Sequence, residues 1–172
     1  MLFSASQRNL VAQALHDAEE RTTNYYCIPP FRWQKLQFDL LTRGDPGWRP
    51  VPEGTLAEIL CFHRKGWTHG AVRERQHQFF RIQLNDESIL QAANRENLQA
   101  DLYPFLVYIL THEMVHLVRL STILDREISE KTHRESEESR VQKISRQILS
   151  GPGHRIFAPV LERFCVPSFS GG

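Results

Sequence analysis

The segment Asp101–Leu120, DLYPFLVYILTHEMVHLVRL, constrains this chain more than any other. It is apolar on nearly every side of a helix, and such a helix is stable only when other elements cover it all round. Asp101 stands where an N-cap belongs, and Pro104 falls in the first turn, where a missing N–H costs nothing. The sequence therefore predicts a central buried helix, with the rest of the chain wrapped about it. At 172 residues the chain has single-domain size. It can bury such a core without disulfides or a structural metal as a staple.

The flanking segments suit that role. From Ser6 to Glu20, the residues Leu10, Val11, Ala14, Leu15 and Ala18 recur at helical spacing, and Pro29 and Pro30 close that stretch. Trp33, Leu36, Phe38, Leu40 and Leu41 predict a second, short helix. A loop through Asp45-Pro46-Gly47 to Gly54 follows. Leu56–His63 and the alternating Phe80, Ile82 and Leu84 read as strands, with Arg64–Gln76 as a long hairpin loop between them. Asn85–Asn97 is a turn with a short helical piece. Glu135–Leu149 is a strong helix, closed by Ser150-Gly151-Pro152-Gly153. Phe157, Val160, Leu161 and Phe164 signal a last turn or two before a loose tail.

Helices, then strands, then helices predict an α+β domain with a small, mostly antiparallel sheet. A single domain over 1–172 is expected. It comprises a helical N-terminal extension over 1–50, a core over 55–150, and a C-terminal helix and tail over 151–172.

Composition removes several classes of partner. Twenty-one Lys+Arg against 20 Asp+Glu leave a formal charge of +1. Nothing global draws the chain to nucleic acid or to an acidic membrane. Cys27, Cys61 and Cys165 are scattered and odd in number, which fits a reducing compartment rather than a disulfide framework. The N-terminal stretch has acidic residues and no unbroken apolar run, unlike a secretory signal. Phe105–Leu110, the longest apolar run, falls far short of the roughly 20 residues that cross a bilayer. A soluble, cytoplasmic protein is expected.

Within the central helix the chain reads Thr111-His112-Glu113-Met114-Val115-His116, an H-E-x-x-H. One turn separates the two histidines, so both imidazoles project from one face and can grip one ion. Glu113 stands beside the first of them, within reach of a water held on that ion. Zinc with three protein ligands keeps a fourth position for water and lowers its pKa to about 7. A glutamate can then take the proton as the water attacks a carbonyl, and return it to the leaving amine. Two histidines and a glutamate on so apolar a helix are costly unless something satisfies them.

A third ligand must come from elsewhere. The metzincin pattern H-E-x-x-H-x-x-G-x-x-H fails, because Arg119 stands at its glycine and Thr122 at its third histidine. Glu135, Glu137 and Glu138 lead the apolar stripe Val141, Ile144, Ile148, Leu149. At 100° per residue, Glu137 and Glu138 flank that stripe on opposite sides, and periodicity leaves both open. Acidic residues also gather at helix N-termini because the macrodipole favours them.

Over residues 78 to 150 the chain resembles the gluzincins, zinc metallopeptidases whose third ligand is a glutamate on a following helix. It is most similar to the small ImmA/IrrE-type and minimal gluzincin domains. In that family the ligand begins a helix of the form E-x-x-[small]-[polar]-x-[apolar]-[small], which Glu138-Ser-Arg-Val141-Gln142-Lys-Ile144-Ser145 matches. Starting at Glu137 would put Arg140 at the small position. The resemblance thus implies His112, His116 and Glu138 as Zn²⁺ ligands and Glu113 as general base. It implies Gln142 as support for a metal-bound histidine, although Asp or Asn is usual there. It also implies a zincin-like fold in which Phe80–Asn85 is the sheet edge beside the cleft, where an extended peptide could add as a strand.

His133 is a further candidate for the site. His154, in His154-Arg155-Ile156-Phe157, resembles the H-x-x-F of SprT-like metalloproteases, where a later histidine completes the site. The expected activity is zinc-dependent peptide hydrolysis on a protein or peptide substrate. The alternatives are a metal-binding regulatory module without proteolysis, and the SprT-like arrangement with His154 as third ligand.

Overall fold

The first helix, α1 (Ala5–Tyr25), opens on a capping box. The Ser4 hydroxyl accepts from the Gln7 N–H, and the Gln7 side chain accepts from the Ser4 N–H. The computed structural model describes residues 1–64, 77–121 and 136–164. In it α1 lies along α4 (Leu102–Leu120), the helix on which the core is built. Ala14 and Ala18 on α1 are fully buried, and their small side chains let the two helices approach closely.

On α4, fourteen of the nineteen residues are buried, which is the all-round burial its composition predicts. Phe105, Leu106, Leu110, Met114 and Leu117 are among the largest side chains wholly withdrawn from water. Each contributes about 1.5–3 kcal/mol of apolar transfer. Asp101 occupies the N-cap position but forms no capping bond with its side chain.

The segment expected as a second short helix divides in two. α2 is a single turn, Pro30–Trp33, and Gln37–Leu41 is a strand, β1. With β2 (Ala57–Arg64) and β3 (His77–Leu84) it forms a three-stranded sheet in the order β1-β3-β2. β1 runs parallel to β3, setting Phe38 opposite Phe80 and Leu40 opposite Ile82. β2 runs antiparallel to β3, setting Ile59 opposite Ile82. The sheet is therefore mixed rather than mostly antiparallel.

Its inner face presents Phe80, Ile82 and Leu84, all fully buried. On the other face Arg81 donates to both carboxylate oxygens of Asp39, each at 2.9 Å, and this ties β3 to β1. β3 is consequently the central strand, hydrogen-bonded on both sides, and not an edge. Among the described residues β1 and β2 are the two edges of the sheet, and β2 lies against α4.

α3 (Asp86–Arg95) is capped by Asn85, whose side chain accepts from the Ser88 N–H. Asp86, fully buried, accepts from the N–H groups of Phe3 and Arg43, both at 2.9 Å, so it pins the N-terminus and the end of β1 to the same point. α5 (Glu137–Leu149) starts from a Ser136 cap and buries Val141, Ser145, Ile148 and Leu149. A 3₁₀ turn, Arg155–Phe157, leads into α6 (Ala158–Phe164), where Phe164 stacks on Phe105 at 4.8 Å between centroids.

The α+β class holds, with six helices and one small mixed sheet among the described residues. Residues 1–50 are not purely helical, since β1 lies within them. Both α1 and β1 feed the same core as α4. The loop expected between the strands falls, past Arg64, outside the described residues, as do His133, Glu135, Cys165 and the tail. No described helix is long and apolar enough to cross a membrane.

Candidate metal centre

Helical periodicity sets His112 and His116 on one stripe of α4, with ring centroids 4.9 Å apart and edge to face. Their side chains are 13% and 17% exposed, so both rings are largely covered yet reach the surface. α5 crosses this stripe with its first turn and delivers Glu138. Glu138 Oε1 lies 2.7 Å from His112 Nε2, and Oε2 lies 3.1 Å from His116 Nε2. One carboxylate thus faces both imidazoles, and the three residues offer ligand atoms that all lie within 4.8 Å of one another.

These donors suit a metal ion. Ligand atoms bonded at about 2.0–2.1 Å in a tetrahedral shell stand roughly 3.3 Å apart, so the contacts of Glu138 must lengthen and the three donors, which lie within 4.8 Å of one another, must adjust to surround an ion. Two imidazoles and one carboxylate are a donor set that hydrolytic zinc sites use, though Zn²⁺ is one of several ions such a set can hold.

The electrostatics separate the carboxylates. Glu113 is 7% exposed, and burial pushes its pKa up to about 7, with the charges of Glu138 and Glu58 adding to the rise and that of His112 opposing it. Glu138 is held down at about 2, first by its hydrogen bond with His112 and then by the charges of both histidines. Burial lowers the pKa of His116, and the charge of His112 lowers it further. Near neutral pH the site therefore combines an ionised ligand carboxylate, a neutral imidazole and a buried carboxyl poised to gain or lose a proton.

The neighbouring acid has a different partner. The Arg119 guanidinium donates through Nε and Nη2 to the two oxygens of Glu137, the second contact at 3.2 Å. Adjacent residues on a helix point 100° apart, and here one glutamate faces the histidines while the other faces Arg119. Of the two glutamates that periodicity leaves open, Glu138 is the one whose side chain meets the histidines.

Two other candidates lie apart from the cluster. Gln142 is exposed on α5, and the buried Nδ1 of His112 has no partner among the described residues, so the support expected from Gln142 is not formed. His154 stacks over Phe157 at 6.1 Å and donates its backbone N–H to Gly151. It is not among the three residues that converge. Sequence reasoning passed over Arg119 as a partner and treated it only as the residue that breaks the metzincin pattern. Its position three residues after His116, on the same helix face, was the available signal. No family model, curated protein or solved structure matches the chain.

Proposed function

We propose that this chain is a zinc-dependent metallopeptidase of the gluzincin type, hydrolysing peptide bonds in a protein or peptide substrate. The observation that carries the reading is the convergence of His112, His116 and Glu138 beside the buried Glu113. These three residues would hold Zn²⁺. When bound, the ion supplies a Lewis acid and a water whose pKa is lowered to about 7.

The chain's own residues do the rest. Glu113 receives the proton from the attacking water on a carboxylate oxygen and passes it to the leaving amine. In the metal-free protein burial raises its pKa, which favours proton uptake at this carboxyl. His116, kept neutral by burial, would offer Nε2 to the ion once its hydrogen bond with Glu138 is given up and its ring proton sits on Nδ1. Glu138 stays ionised across the working range.

An extended substrate would add along β2, the one of the two described edge strands that lies against α4. A reducing, cytoplasmic setting is part of this proposal, on three scattered cysteines that are odd in number.

The test joins metal analysis of purified protein to a peptide-hydrolysis assay of wild type, chelated protein and Glu113→Gln. About one zinc per chain is expected, with hydrolysis abolished by chelation, restored by zinc and lost in the variant. Zinc binding without hydrolysis across a broad peptide library would favour the metal-binding module instead.

A further inference from the structure

We propose that Arg119 and Glu137 form a positioning clamp that holds Glu138 at the metal centre; this rests on the three-residue metal site proposed above. Glu138 follows His116 by 22 residues, so local chain geometry does not bring the two together. Its side chain is 57% exposed and lies in the first turn of α5, where helices fray. Something must hold that turn in register with α4.

The fork from Arg119 to Glu137 does so at the closest available points. Arg119 stands three residues beyond His116 on α4, and Glu137 immediately precedes Glu138 on α5. A two-point guanidinium–carboxylate contact fixes orientation as well as distance, which a single contact from lysine does not.

The clamp is backed as well as made. The Arg119 side chain is only 16% exposed. The buried Tyr26 hydroxyl faces its guanidinium without a hydrogen bond of good geometry, and Tyr26 packs on Ile28 and Val118. Tyr26 thus stands beside the guanidinium, and the bonds to Glu137 orient it.

The clamp is also separable from the fold. α5 docks on the core through Val141, Ser145, Ile148 and Leu149, which lie further along the helix. Removing the fork should therefore loosen the first turn of α5 and leave its docking intact. In that state Glu138 must be ordered by the ion at the moment of binding, and affinity falls.

The experiment titrates zinc against a competing chelator in wild type, Glu137→Gln and Arg119→Lys. It also records the visible spectrum of each cobalt-substituted protein and the thermal unfolding of each metal-free protein. Residues that orient metal ligands are typically worth 10–100-fold in affinity. A loss of about tenfold is expected in both variants, with an altered cobalt spectrum and unchanged metal-free unfolding. Wild-type affinity in both variants would overturn the clamp and leave the metal site standing. A fall in affinity matched by a comparable loss of metal-free stability would overturn it in favour of a general structural role. A wild type that takes up neither metal would overturn the clamp and the site together.

Discussion

Glu138 divides its two carboxylate oxygens between His112 and His116, 2.7 Å from one Nε2 and 3.1 Å from the other. The two imidazoles therefore already face a common point, and the third donor already stands at it.

Removal of that carboxylate should be felt first in metal binding. Glu138→Ala should weaken zinc affinity by more than about 100-fold, beyond the range of residues that merely orient ligands. Gln142→Ala and His154→Ala should leave it unchanged, because neither side chain joins the cluster. Chelator competition on the three variants checks this. Loss of metal in His154→Ala with retention in Glu138→Ala would reverse the assignment.

Catalysis should separate from binding at Glu113. Glu113→Gln keeps the size of the side chain and a hydrogen bond to water but cannot accept its proton. General-base work is worth roughly 10²–10⁴ in rate, so hydrolysis should fall by that factor while zinc content stays at wild-type level. Steady-state rates measured beside elemental analysis decide the matter.

The same residue makes a prediction about stability in the metal-free protein. Its pKa in the fold, about 7, lies above its ordinary 4.5. Between those values the native state holds a proton that the unfolded chain has released. Stability should therefore fall as pH rises from about 4.5 to 7 and stay reduced above it. The full difference is on the order of 3 kcal/mol. Metal-free Glu113→Gln should thus be the more stable protein at pH 8 and lose that advantage near pH 4. Urea denaturation at the two pH values measures it.

Far from the site, Asp86→Ala should be costly. It leaves the N–H groups of Phe3 and Arg43 without their acceptor in a fully buried place. An orphaned buried donor costs about 1–3 kcal/mol, and a loss of at least about 2 kcal/mol is expected in denaturant unfolding.

Features with dense local signals were the ones legible from residues alone. The central helix could be read because its apolar character leaves no solvent face, and the H-E-x-x-H because its spacing equals one helical turn. β1 was not legible as a strand. Trp33, Leu36 and Leu40 fall at helix-like intervals and obscure the alternation of Phe38 and Leu40 with Gln37 and Asp39. The central place of β3 depends on β1 pairing across roughly 40 residues of chain, and no local pattern encodes such a partner. Glu138 was separable from Glu137 only through a family pattern. Physically the two differ in what lies across the cleft, and Arg119 is that difference.

The burial of Ala14 and Ala18 against α4 also has a bearing on biosynthesis. α1 is made well before α4, but helices in proteins draw most of their stability from the partner they cover. Its main partner in the fold is the helix that carries His112, Glu113 and His116. During translation the N-terminal segment must therefore wait, incompletely ordered, until that helix has left the ribosome. Docking of the two then closes the core and completes the wall behind the histidines in a single cooperative event.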